Sequence, residues 1–400
     1  MSKQAIFDRL PEPRSGVSLH DIDGQPVVLN ANSQKLHRVS KLTAEVWKHI
    51  EYQSIMEKIE EMLQTDFDVP LHQVQAVIRG TLEELEALEV LGNFSGDDHS
   101  APEIGAVRGT PVVARDVLPQ YQAHVEVLSA VVLLALPSEA LLHAILDTLP
   151  GSRTDKPADF CVAVLSAGRK FKVMVDNDVA EQGLSPREII PQTLSVLFAS
   201  AINREDFAGC LHCAAIGTPA GVMLIPGVSG RGKTCLSLVL AAQGYTWLCD
   251  DLTLMQGPPW QVRPVPAPAC IKSTAWNAMA PHIPGLGRLR THVRVDGKRV
   301  KYRPLPSGNS ADRAHTVKAI VFPNYQRTAF AQLETVERVD ALEALLGGAI
   351  AWRHKLSGQS FSGIARWLEA IPCHRLTYSK GRDAAALVSE LLPLPQHSPA

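Results

Sequence analysis

Two hydrophobic periodicities divide the chain. Residues 17–39 alternate apolar and polar positions in short runs, predicting strands at 17–20, 27–30 and 36–39. Turns are expected at Asp21-Ile22-Asp23-Gly24 and Asn30-Ala31-Asn32-Ser33. Apolar residues then recur at helical spacing. Thr43 opens a helix with Val46, Trp47 and Ile50 on one face, and Ser54 opens a second with apolar residues at 55, 59, 62 and 63. A third helix, 71–91, carries Val74, Ile78, Leu82 and Leu85 at the same period. Three strands followed by three helices predict a small winged-helix-like module over residues 1–97. The Gly-, Ser-, Pro- and Asp-rich stretch that follows predicts a linker, 98–116.

From 117 onward the periods interleave. A strand is expected at 124–136, a helix at 138–149, a hairpin of 159–165 with 170–176 around Ala167-Gly168, and a helix at 185–203. Further on, 256–268 is a proline-dense turn and edge strand, and 317–323 (VKAIVFP) is a buried strand. Helices are expected at 339–351 and 361–371, a strand at 373–378 and a closing helix at 382–392. The class this predicts is α/β (α+β), with residues 117–400 forming a mixed sheet flanked by helices. No period of 20 to 50 residues recurs.

Four hundred residues suffice for two or three domains, and 46% hydrophobic with 20% charged residues describes an ordinary globular protein. A formal net charge of −2 argues against bulk nucleic-acid binding. The N-terminus lacks an apolar core for a signal peptide, and 125–136 is too short to span a bilayer, so neither export nor a membrane partner is expected. Seven scattered cysteines fit a reducing cytoplasm. Cys210-x-x-Cys213 has no second ligand pair at zinc spacing and is expected to be small core filler rather than a metal or redox site.

The chemistry concentrates in 223–255. Gly227-Val-Ser229-Gly230-Arg231-Gly232-Lys233-Thr234 is a full G-x-x-x-x-G-K-[ST] match, with an apolar run before it and a helical run from Cys235 after it. The glycines permit positive φ and close approach, and successive amides at a helix N-terminus favour phosphate. The expected nucleotide-binding residues are thus Gly227, Ser229, Gly230, Arg231, Gly232, Lys233, Thr234 and Cys235. Lys233 suits β/γ oxygens and Thr234 suits Mg²⁺. Asp250-Asp251, at the end of the next apolar run, can divide metal holding from proton removal. His212 sits alone among small apolar residues of 211–216. By itself that is a satisfied core or turn histidine; together with the loop and the acid pair it is a site candidate.

The combination of a Leu211-His212-Cys213 strand, this loop, a helix and a strand ending in Asp-Asp resembles the HPr kinase/phosphorylase family. The match is close over 211–252 and looser over about 120–390. It implies a fold like phosphoenolpyruvate carboxykinase, with ATP as phosphoryl donor and Mg²⁺ as cofactor. Carried over, Asp250 is the base, His212 its partner, Asp251 with Thr234 the metal side, and Lys233 the phosphate contact. Departures are Thr234 for the usual Ser, Cys213 for the usual Ala, and Cys235 where bifunctional members often carry an acid. The last points to a relative of the sugar-regulation enzyme rather than that enzyme. Related kinases tend to have a lysine where Lys272 stands, which makes it a phosphate or substrate candidate as well as an ordinary solvated lysine. Residues 285–303 hold seven Lys or Arg against Asp296 and alternate like a hairpin around Asp296-Gly297. Arg288, Arg290, Arg294, Arg299 or Arg303 could stabilise transferred phosphoryl charge, or the run could be a solvated face.

The N-terminal order, with VVLN…LHRVSKLTAEVW and VIRGTLEELEALEVL, resembles the PqqD-like peptide-recognition domain. That resemblance implies leader-peptide binding by strand addition. The acidic third helix (Glu83, Glu84, Glu86, Glu89) argues against DNA. The favoured expectation is a cytoplasmic phosphotransferase that phosphorylates Ser or Thr on a ribosomally made precursor peptide. Rival expectations are a protein-serine or small-molecule kinase of the HPr-kinase type and a non-catalytic ATP-gated peptide carrier. Members of the family form hexamers, so the resemblance admits a homo-oligomer, against which stands the fused N-terminal module.

Overall fold

The computed structural model describes residues 11–92, 118–306 and 313–394, and combines helices with antiparallel and mixed sheets. The linker expected at 98–116 lies outside the described residues. Two compact units emerge.

The first unit joins the N-terminal residues with Glu337–Gly347 and His354–Ala370. Strands Val17–Ile22, Gln25–Asn30 and Lys35–Arg38 form an antiparallel sheet in that order. Its first turn is closed by the Gly24 amide donating to Asp21 Oδ1 at 2.8 Å. Helices Lys41–Glu51, Met56–Asp66 and Leu71–Ala87 follow, the first capped by Ser40 Oγ accepting from the Thr43 amide. Trp47, Ile59, Leu63, Ile78 and Leu85 are buried together with Val28 beneath one sheet face.

The other face is covered from far along the chain. Ser18 and His20 pair with Leu29 and Val27, which pair in turn with Leu36 and Arg38, so these six share a face by strand alternation. Against it lie helices Arg338–Gly347 and Gly358–Glu369. The His20 and Phe361 rings are 4.6 Å apart, and Arg38 pairs with Glu343 at 2.9 Å and with Asp340. The stretch expected to run unbroken from 117 to 400 therefore lends two helices to the N-terminal unit. The helix expected at 339–351 stops at Gly347. Two glycines disfavour its continuation, and Ala349–Trp352 instead pairs as a strand with Gly209–Leu211.

The second unit holds two larger sheets. One is Tyr121–Val127, Ala130–Leu136, Phe160–Ala167, Lys170–Val175 and Asp178–Leu184, with Ile189–Ile202 packed on it. The single strand expected at 124–136 is a hairpin. Its turn carries no Gly or Asn; Leu128 takes φ +59° and the Ser129 amide and hydroxyl both donate to Glu205 Oε1 at 2.7 Å. A carboxylate 76 residues away holds that turn, which local sequence could not announce.

The other sheet positions the site. It runs Gln261–Pro264, Leu252–Gln256, Gly209–Thr218, Gly221–Pro226, Val317–Tyr325, Cys373–Tyr378 and Gln332–Thr335, and Thr246–Cys249 also pairs with Gly209–Thr218. Gly221–Pro226, Val317–Tyr325 and Cys373–Tyr378 run parallel, and Gly221–Pro226 between its neighbours is buried from Val222 to Pro226, as a strand covered on both faces should be. The hairpin expected around Asp296-Gly297 forms between His292–Val293 and Arg299–Arg303. Among the described residues no helix is long and apolar enough to cross a membrane.

Candidate active site

The loop follows from strand register. Cys213 pairs with Pro226, so His212 stands one step past the end of Gly221–Pro226, opposite Gly227. The chain turns through Gly227–Gly232 and enters helix Lys233–Ala242. Gly232 takes φ +102°, and a Cβ there would lie 2.4 Å from the Tyr378 hydroxyl. Only glycine fits that conformation in that space. The helix N-terminus thereby opens into a cavity of about 650 Å³ lined by Ser229, Gly230, Gly232, Lys233, Thr234 and Cys235.

Lys233 is buried, and its Nζ donates to the Gly227 carbonyl at 2.6 Å. It stands 3.1 Å from His212 Nε2 and 4.0 Å from Asp251 Oδ1. His212 Nε2 is itself 2.6 Å from Asp251 Oδ1. One ring nitrogen cannot donate to a carboxylate and accept from an ammonium at once; the shorter contact assigns its proton to the bond with Asp251. Burial pulls the ammonium of Lys233 below its ordinary value, opposed by the charges of Asp251 and Asp250.

The adjacent carboxylates have unlike surroundings. Asp250 is 3% exposed. Its Oδ2 accepts from the Cys270 amide at 3.0 Å, while Oδ1 is buried without a hydrogen-bond partner. Burial, then repulsion from Asp251, raises its carboxyl to about 6 against the opposing pull of the Cys270 amide, Thr234 hydroxyl and Lys233. Asp251 has a side chain 55% exposed. Partial burial raises it, but the bond and charge of His212, with Lys233 and Lys272, prevail and hold it below the usual carboxylate range. The expected pairing of His212 with Asp250 is thus replaced by pairing with Asp251. Two consecutive residues leaving a strand point to opposite sides, so only one of them can meet the ring.

Other expected residues separate cleanly. Lys272 reaches the loop, donating to Ser229 Oγ at 2.5 Å. Of the five arginines in the basic run, Arg294 lines the cavity, joined by Lys298; Arg288, Arg290, Arg299 and Arg303 do not. Arg231 also faces elsewhere, bonding Asn324 at 3.1 Å. Cys210 and Cys213 are buried, free thiols raised by burial, as core filler should be. Cys235 lines the cavity with a thiol raised by burial to about 11. Met279, Tyr325, Ile350 and Tyr378 also line it and carry no local sequence signal.

Among the described residues no group of three or more His, Cys, Asp or Glu could hold a metal. Mg²⁺ needs less, taking one or two protein oxygens and completing its shell with phosphate and water. The unpartnered Asp250 Oδ1 beside the Thr234 hydroxyl meets that requirement. No protein-family model matches the chain, and no curated protein matches it.

Proposed function

We propose that the chain is an ATP-dependent phosphotransferase acting on a Ser or Thr hydroxyl of a ribosomally made precursor peptide. The observation that carries this reading is the Lys233 ammonium of a complete phosphate loop, 4.0 Å from a carboxylate already hydrogen bonded to an imidazole. Loop amides and the helix N-terminus hold the donor phosphates, and Lys233 neutralises charge at the transferring group. Thr234 and Asp250 would hold Mg²⁺, which when bound neutralises phosphate charge. Asp251, oriented by His212 and accessible, takes the hydroxyl proton. The two acids thus exchange the duties the family resemblance implied, because only Asp251 has both the ring and the access. Arg294 and Lys272 supply further positive charge along the cavity wall.

Recruitment falls to the N-terminal unit. Both faces of its three-stranded sheet are covered, while the outer edges of Val17–Ile22 and Lys35–Arg38 pair with no strand among the described residues. An extended leader can add there through main-chain hydrogen bonds. Tethering then raises the local concentration of the acceptor, so the cavity itself need bind it only weakly. The test is incubation of the full chain with γ-labelled ATP, Mg²⁺ and the candidate precursor. Label on a Ser or Thr is expected; a peptide that binds yet takes no label defeats the reading.

A further inference from the structure

The proposed reaction leaves one part of the donor unplaced, the nucleoside. Strands Gly221–Pro226, Val317–Tyr325 and Cys373–Tyr378 run parallel, so their C-terminal ends share one rim of the sheet. Ligands of such sheets bind at that rim. The phosphate loop leaves the first strand there. Gly209–Thr218, carrying His212, flanks it on one side, and Val317–Tyr325 flanks it on the other. A triphosphate whose terminal group lies at Lys233, His212 and Asp251 therefore has its nucleoside directed toward the ends of the other two strands.

Those ends are both tyrosines. Tyr325 is tied to the loop, its amide donating to the Arg231 carbonyl at 3.2 Å. Tyr378 is buried and its hydroxyl donates to the Gly232 carbonyl at 3.2 Å. The rings meet edge to face, centroids 5.8 Å apart with planes at 72°. Tyr378 is thus a fixed brace, and Tyr325 rests on it while remaining 48% exposed and lining the cavity. A large aromatic ring held rigid from behind and left open toward a phosphate site is a stacking platform.

We infer that Tyr325 stacks on the nucleobase of the bound nucleotide, with Tyr378 as its brace. The inference rests on the phosphotransferase reading, since it needs the phosphates at the loop. Stacking is indifferent to base edges but grows with ring area, so purine nucleotides should bind more tightly than pyrimidine nucleotides at equal phosphate number.

The experiment is titration calorimetry of the full chain with Mg²⁺–ATP and with Mg²⁺–tripolyphosphate, which lacks the nucleoside. Y325A should weaken ATP about tenfold or more while leaving tripolyphosphate unchanged, and Y325F should restore ATP binding. F330A, altering a residue 93% exposed in the following loop but outside the cavity, should match the unsubstituted chain. If Y325A binds ATP as well as the unsubstituted chain, or loses ATP and tripolyphosphate equally, the platform is refuted while nucleotide binding stands. If the unsubstituted chain binds neither compound, the phosphotransferase reading falls and takes the platform with it.

Discussion

His212 Nε2 lies 2.6 Å from Asp251 Oδ1, while the neighbouring Asp250, nearly buried at the cavity wall, accepts from the Cys270 amide instead. The ring thus meets the exposed acid of the pair and not the buried one.

The two carboxamide variants should therefore fail differently. D251N should lower phosphoryl transfer by about 10²–10⁴-fold, the usual worth of a positioned general base, while still binding Mg²⁺–ATP. D250N should weaken nucleotide affinity measured with Mg²⁺ and leave affinity measured in chelator unchanged. Equal behaviour of the two variants in both assays would remove the division of labour.

The imidazole also sets a pH limit. His212 is the first of the neighbours that hold Asp251 below its ordinary value against the upward push of burial. Asp251 must be ionised to accept a proton, so activity should fall on the acid side as it protonates. Replacing His212 by Ala removes the stabilising bond, raises the Asp251 pKa and moves the acid limb of kcat/KM to higher pH. An acid limb that stays in place in H212A would show that another group governs it.

Asp250 makes a prediction about stability in the absence of ligand. Its carboxyl rises from 3.8 to about 6 on folding. Below pH 4 both states are protonated and nothing is lost; between 4 and 6 the unfolded state ionises first, so stability falls as pH rises. Two units correspond to about 3 kcal/mol. D250N, free of that charge, should gain up to this much over the unsubstituted chain at pH 8 and almost nothing at pH 3.5 in urea unfolding without Mg²⁺ or nucleotide. A gain that does not depend on pH would contradict the assignment.

Phe361 is buried under the N-terminal sheet rather than beside the phosphate loop. F361A should cost about 3–5 kcal/mol, as large core truncations do, and hydrogen exchange should locate the loss in residues 17–87. Loss of protection confined to the strands beside the Gly227–Gly232 loop would refute the packing. The same arrangement complicates any truncation. Removing residues 1–97 would strip His20 from Phe361 and Arg38 from Asp340 and Glu343, so lost turnover in that deletion would not by itself report on peptide recruitment.

Much of this was legible in the residues alone. Phosphate loops are local: glycines at fixed offsets, a strand before and a helix after are all properties of one short segment. The N-terminal strands and helices were readable for the same reason, since a period of two or of 3.6 is set by immediate neighbours. The hairpin at Leu128-Ser129 was not, because Glu205 rather than a turn residue holds it. Nor was the exchange of Arg338–Gly347 and Gly358–Glu369 into the first unit, since an amphipathic helix states that it has an apolar face but not which sheet will cover it.

The residues by themselves determined that a phosphate-loop motif, an acid pair and a histidine exist, each on or next to a strand-like run. Which acid the histidine meets, which of five arginines enters the cavity and which aromatic ring stands open beside the loop were decided only by tertiary structure. Strand register and the sides from which consecutive side chains leave a strand are settled when sheets pair across long stretches of chain, and no window of sequence contains that pairing.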